Sequence, residues 1–192
     1  MAHIFRESVK GIELIPIEDE LLNNREVFLV DSVNAESSNA LLKQLMYLDR
    51  KDPGEEVTLY INSPGGDVVS GLAVYDYIGL MKSPVKTVCI GSASSMGAIL
   101  FLAGEKREML EHTRLLIHDP SYGHFDASGK KPHEIQQEVD SLNKIRGKLA
   151  EIISVKTGKS IDEVYKITAS DTFFDAEEAI EFGLATGIYK GE

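Results

Sequence analysis

The stretch that decides the fold runs Val85-Lys86-Thr87-Val88-Cys89-Ile90-Gly91-Ser92-Ala93-Ser94-Ser95-Met96-Gly97-Ala98-Ile99-Leu100-Phe101-Leu102-Ala103. Val85 to Ile90 is short, rich in β-branched residues and nearly all apolar, the pattern of a strand buried on both faces, as in a parallel sheet. Gly91 to Gly97 contains only small residues and one methionine, so it reads as a tight turn. Ala98 to Ala103 is an apolar helix. Ser95 therefore falls on a strand-to-helix turn, with its hydroxyl exposed and helix N–H groups close by. Two readings stand for it: an ordinary helix N-cap, or a nucleophile presented as in the G-x-S-x-G elbow.

The same alternation continues on both sides. Glu26 to Val30 and Val57 to Ile61 read as buried strands, and Lys106 to Leu110 and Arg114 to Ile117 as further strand-like segments. Helices are expected at Ser37 to Tyr47, where Leu41, Leu42, Leu45 and Met46 share a face, and at Val69 to Met81. Pro84 ends the second of these. Gly123 to Pro132 is a polar loop. A long helix follows from about His133 to Lys156, with Ile135, Val139, Leu142, Ile145, Leu149 and Ile152 spaced by three or four. Its stripe is about 36 Å long at 1.5 Å per residue, which fits either a core helix or one that projects to meet another subunit. Ser160 with Glu163, and Asp175 with Glu178, are capping boxes that open two short helices. Residues 1–16 carry few pattern signals and read as a mobile or partner-bound arm. The order of elements is that of an α/β protein, and the length of 192 residues fits a single domain spanning 1–192, with 1–19 as its N-terminal arm and about 123–156 as a loop and projecting helix.

Composition narrows the function classes. Hydrophobic residues at 43% and charged residues at 27% exclude disordered and low-complexity chains. The net charge of −11 repels phosphate backbones and anionic membranes, so neither nucleic acid nor membrane is an expected partner. Cys89 is the only cysteine, so no intrachain disulfide can form, and its apolar neighbours make it a small core hydrophobe. Residues 1–7 lack the layout of a signal peptide, and no apolar run approaches the ~20 residues that span a bilayer. The expected location is the cytoplasm.

A serine nucleophile needs an oxyanion hole, a base and an orienting acid. Asn62-Ser63-Pro64-Gly65-Gly66 follows a buried strand, and its two glycines can turn backbone N–H groups toward a ligand or simply make a tight turn. Nothing resembles a phosphate loop, since no Lys-Ser or Lys-Thr follows the glycines. Of the five histidines, His3 lies in the arm, His112 among charges, His124 in the polar loop and His133 at a helix start. Only His118 ends a strand-like run, where catalytic groups favour the C-terminal edge; a structural histidine is the competing reading. Three aspartates compete for the orienting role. Asp119 adjoins His118 and so points away from it in a strand, Asp175 caps a helix, and Asp171 sits before Phe173-Phe174, where burial would demand a partner. Asp171 is the best placed. The scattered acids and absence of His-x-x-x-His or paired cysteines leave no expected metal site.

Together these segments resemble the proteolytic subunit of the Clp protease (ClpP), a family of serine endopeptidases. The resemblance covers about residues 20–189. It rests on Tyr60-Ile61-Asn62-Ser63-Pro64-Gly65-Gly66, Ala93-Ser94-Ser95-Met96-Gly97-Ala98, Ile117-His118-Asp119-Pro120, and Asp171-Thr172-Phe173-Phe174-Asp175-Ala176-Glu177-Glu178-Ala179 followed by Gly183-Leu184. It implies Ser95 as nucleophile, His118 as base, Asp171 as orienting acid, and the backbone N–H groups of Gly66 and Met96 as oxyanion donors. It implies a ClpP/crotonase-like superhelix of strand–strand–helix units with a protruding handle helix, here the one from about His133. It further implies a homo-oligomer of two stacked heptamers enclosing a chamber, fed with unfolded polypeptide by an AAA+ unfoldase of the ClpX or ClpA/ClpC type. This chain would need no cofactor of its own, ATP being used by the partner.

Three departures accompany the resemblance. The arm before residue 20 is short. Asp119 stands where the family usually has Gln, and a carboxylate facing the ring of His118 would favour the imidazolium. Ser170 replaces an Arg that pairs across the ring interface. The rival functions are a silent ring subunit working with an active paralogue, and an acyl-CoA enzyme of the crotonase type, which shares the oxyanion hole but uses carboxylates as acid and base.

Overall fold

A computed structural model describes residues 2–8, 11–123 and 125–191, so the expectation placed on His124 lies outside the described residues. The main sheet has seven strands: β3 (Glu26–Leu29), β4 (Val57–Ser63), β5 (Val85–Ser94), β6 (Lys106–Met109), β7 (Arg114–Ile117), β8 (Thr172–Phe174) and β9 (Gly187–Ile188). Strands β3, β4, β5, β6 and β9 lie side by side, all parallel. The central strand β5 has β4 along one edge and two neighbours on the other. Its first half, Lys86 to Cys89, pairs with β6, and its last residues, Ser92 to Ser94, pair with β7. The sheet therefore forks at Gly91, and β7 carries β8 antiparallel on its far side.

The fork follows from the sequence. Parallel central strands are covered on both faces, and Val57, Leu59, Ile61, Val85, Val88 and Cys89 are all buried. Burial also pushes the Cys89 thiol pKa up, in keeping with a core role. Past Gly91 the chain needs close backbone approach rather than bulk. A Cβ on Gly91 would meet Asn62 Oδ1 at 2.4 Å, and that oxygen accepts from the Ser92 amide at 3.0 Å.

Helices α2 (Ala35–Lys51), α3 (Val68–Leu80) and α4 (Met96–Phe101) pack with the sheet, α2 offering Leu41, Leu45 and Leu48 to the core. Helices α6 (Ile161–Thr168) and α7 (Ala176–Phe182) open with the capping boxes read from Ser160–Glu163 and Asp175–Glu178. Helix α5 (Pro132–Thr157) ends in a left-handed Gly158. Its only buried residues are Leu149, Ala150 and Ile153, so just the C-terminal part packs within the subunit. The part before Lys148, about 25 Å at 1.5 Å per residue, has no fully buried side chain and only Ile145 packed against the core, which favours the projecting-helix alternative over the core one.

Within the stretch read as a mobile or partner-bound arm, β1 (His3–Ser8) and β2 (Gly11–Pro16) pair as an antiparallel hairpin, with Phe5 opposite Leu14 and His3 opposite Pro16. Ile12-Glu13-Leu14 alternates with period two, but the strands are too short for that alternation to stand out. The hairpin pairs with no strand of the main sheet and leads into helix α1 (Ile17–Asn23). Among the described residues no helix is long and apolar enough to cross a membrane.

One buried cation ties the periphery to the sheet. Arg107, on β6, has no carboxylate partner among the described residues. Its guanidinium instead donates to the carbonyls of Leu184 at 2.8 Å, Gly104 at 3.3 Å, Gly183 at 3.3 Å and Lys156 at 3.4 Å. These carbonyls lie at or just beyond the C-terminal ends of α4, α5 and α7, where helix dipoles place partial negative charge. Replacing Arg107 by Met keeps the stem but leaves buried carbonyls unpaired. The R107M protein is expected to lose about 3 kcal/mol of stability, read as a lowered urea midpoint at unchanged slope.

Candidate active site

Ser95 is held between β5 and α4 in a backbone conformation that side chains rarely adopt, φ 53° and ψ −120°. A non-glycine residue there costs about 1–3 kcal/mol and persists only where its surroundings fix it. Three contacts do so. The Ser95 amide donates to Leu116 O on β7 at 2.8 Å, and its carbonyl accepts from Ala98 and Ile99 at 3.0 and 3.2 Å. The hydroxyl makes no capping bond, so the N-cap reading of this serine fails. The strain presents the side chain instead of using it to start the helix.

The glycine turn after β4 lies against this elbow. Gly65 has φ 90°, and a Cβ there would meet Ser94 O at 2.5 Å, Ser95 Cβ at 2.7 Å and Met96 N at 2.9 Å. Gly66 has φ 146° and would place a Cβ 2.2 Å from Val33 O. Two backbone bonds lock the turn onto the chain at Val33: Val33 N to Gly65 O at 2.8 Å, and Asp67 N to Val33 O at 2.7 Å. Ser63 supports it from beneath, donating to Asp31 O at 2.6 Å and accepting from the Gly65 amide at 3.2 Å. Neither the Gly66 nor the Met96 amide donates to another group among the described residues. Asp67 then caps α3 by accepting from the Ser70 amide at 2.7 Å, and hydrogen bonding from the Ser70 hydroxyl and amide holds its carboxyl below the usual pKa.

His118 follows β7 directly. It shares with Ser95 an open cleft of about 490 Å³, lined also by Gly66, Val68, Leu142 and Ile145. Behind it lies a small cavity of about 30 Å³, which His118 and Ser95 line together with Asp119, Arg146 and Thr168. The imidazole Nδ1 lies 2.6 Å from the carbonyl oxygen of Asp119. A carbonyl only accepts, so Nδ1 carries the proton and Nε2 of the neutral ring is left as the basic nitrogen. No hydrogen bond joins Ser95 to His118; such bonds are commonly long in ligand-free sites and tighten with substrate.

The acids fall differently from their sequence reading. The Asp119 carboxylate does not face the ring: Oδ2 lies 2.7 Å from Arg146 Nε on α5, and Oδ1 accepts from Thr168 Oγ1 at 2.7 Å. Asp171 is exposed and has no hydrogen bond or ion pair among the described residues, so the burial argument made for it does not hold. Strands β7 and β8 pair Leu115 with Phe174, Leu116 with Phe173 and Ile117 with Thr172, and the ladder ends one residue short of His118 and Asp171. Arg146 and Thr168 were not singled out from sequence, and no local pattern marks either as a partner of Asp119. Among the described residues no three His, Cys, Asp or Glu side chains gather as metal ligands.

Residues 10–192 match the family described as Clp protease. The match begins before the expected residue 20, so it takes in the second strand of the hairpin. The chain is 36% identical over 187 residues to the ATP-dependent Clp protease proteolytic subunit 1 of Synechococcus sp. (strain CC9902), covering 96% of this chain and 93% of that protein. The same figures hold for the ATP-dependent Clp protease proteolytic subunit 2 of Parasynechococcus marenigrum (strain WH8102). These relatives do not favour the acyl-CoA or silent-subunit readings.

Gly65→Ala drives a methyl into backbone atoms on both sides of Ser95 at a φ that alanine resists. The variant is expected to lose labelling of the site serine by a fluorophosphonate at least tenfold, as followed by intact mass, because the elbow must move for the methyl to fit.

Proposed function

The chain belongs to the Clp protease family of serine-type endopeptidases, and from that premise we propose that Ser95, His118 and Asp171 are its catalytic triad. The observation that carries the reading is the strained Ser95, whose uncommitted hydroxyl shares a cleft with a histidine already in the Nδ1-protonated form. In this reading His118 Nε2 takes the Ser95 proton as Oγ attacks a peptide carbonyl. The uncommitted amides of Gly66 and Met96 receive the oxyanion, each contributing roughly 3–4 kcal/mol to the transition state. His118 then protonates the leaving amine, and water repeats the sequence on the acyl-enzyme. Asp171, which directly precedes β8 as His118 directly follows β7, stabilises the imidazolium.

The same reading extends to assembly. The unpacked part of α5 would bury its stripe against other copies, in keeping with stacked heptameric rings around a chamber. Unfolded polypeptide is the substrate, delivered by an AAA+ unfoldase of the ClpX or ClpA/ClpC type that uses the ATP, and the setting is the cytoplasm. Nothing in the chemistry of Ser95 and His118 calls for a cofactor. Ser170, in place of a paired arginine, would loosen the contact between rings.

The test is fluorophosphonate treatment followed by peptide mapping and cleavage of a small fluorogenic peptide. The adduct is expected on Ser95, with loss of cleavage by about 10⁴-fold or more in Ser95→Ala and His118→Ala, and by about 10³–10⁴-fold in Asp171→Asn. Cleavage by Ser95→Ala at the wild-type rate would overturn the assignment.

A further inference from the structure

We propose that Asp119 and Arg146 are positioning residues for His118, a role that rests on the reading of Ser95 and His118 as nucleophile and base. Asp119 is fixed at four points. Its amide donates to Thr168 O at 2.6 Å, its Oδ1 accepts from Thr168 Oγ1 at 2.7 Å, its Oδ2 meets Arg146 Nε at 2.7 Å, and its carbonyl takes His118 Nδ1 at 2.6 Å. The first three contacts hold the residue; the fourth is what it holds in place. The carbonyl can act as orienting acceptor only while the peptide unit behind it stays still, and the side chain is its only tether to α5.

Arg146 is held in turn. Its guanidinium carbon lies 4.2 Å from the centre of the Tyr165 ring on α6, a cation–π stack that leaves Nε facing Asp119. It sits one turn before Leu149, where the packed part of α5 begins. Sideways movement of α5 at this point therefore draws on the Asp119 carboxylate, and through the same residue on the imidazole. Arg146 and Asp119 both line the 30 Å³ cavity shared by Ser95 and His118, and neither side chain is hydrogen-bonded to Ser95. Asp119 supplies the tautomer through a neutral carbonyl, and Asp171 supplies the negative charge. Two acceptors with different chemistry thus divide a task that one carboxylate can perform alone.

A positioning role predicts a particular kinetic split. In the full-length assembly with a fluorogenic peptide, Arg146→Gln is expected to lower kcat about 10- to 100-fold, the cost of a base displaced by a fraction of an ångström. KM should stay within about twofold, since both residues act through His118. Arg146→Lys, which keeps the charge, should recover most of kcat. Asp119→Asn keeps the Thr168 contact and the carbonyl but removes the ion pair, and is expected to reproduce the Arg146→Gln loss; it serves also if Arg146→Gln fails to fold. Wild-type kcat in folded Arg146→Gln or Asp119→Asn overturns the proposal, as does a loss that Arg146→Lys does not repair. Absence of a fluorophosphonate adduct on Ser95 in the wild-type protein would instead sink the underlying site assignment, so the two failures are told apart.

Discussion

The close approach of the Gly65–Gly66 turn to the Ser94–Met96 turn sets the position of every group at the site. The two turns follow adjacent parallel strands, β4 and β5, whose register slips between Ile61 and Ser63 so that Ser63 lies opposite Ala93. That slip brings one turn over the other with no room for a Cβ between them. The strained φ of Ser95 is then over-determined from both sides, by Gly65 and by the Leu116 carbonyl. The uncommitted Met96 amide comes from one turn and the uncommitted Gly66 amide from the other. Sheet register, glycine and strain are thus one constraint seen from three residues.

The fork of β5 adds the base to this arrangement. Had β5 kept a single neighbour along its β6 edge, β7 would not run beside Ser92 to Ser94, and His118 would not emerge next to Ser95. The fork leaves open ground between β6 and β7, and the ends of three helices close over its β6 side. Arg107 makes that closure tolerable by donating to four carbonyls that would otherwise be buried unpaired. In a chain with a net charge of −11, a buried guanidinium that donates to no carboxylate among the described residues is held by carbonyl dipoles.

What was legible in the sequence was what is local. The capping boxes at Ser160–Glu163 and Asp175–Glu178 involve residues three apart, and the buried strands declare themselves by unbroken apolar runs. Ser95 was legible as a turn serine, and its motif neighbours marked it further. What was not legible depends on contacts between distant segments. The Phe173-Phe174 neighbours of Asp171 suggest a buried carboxylate, yet it is exposed, and the β7–β8 pairing that runs up to it is encoded by no single segment. The rule that neighbours in a strand diverge placed the Asp119 carboxylate away from the ring correctly. It gave no hint that the Asp119 carbonyl would turn back to Nδ1, because that depends on Thr168 and Arg146, both far along the chain.

The position of Arg146 makes α5 more than an assembly element. Helix α5 is anchored in the core at Leu149, Ala150 and Ile153, with Ile145 and Ile152 packed partly against the same core. Arg146 is the last ion-paired residue before that anchor, so it lies where leverage from the projecting part is greatest and freedom to relax is least. Arg146 stacks its guanidinium on the Tyr165 ring and keeps its charge beside the Asp119 carboxylate, with Nε 2.7 Å from Oδ2. Through Asp119, His118 is in this way tied to α5, whose turns before Leu149 bury no side chain fully within the subunit.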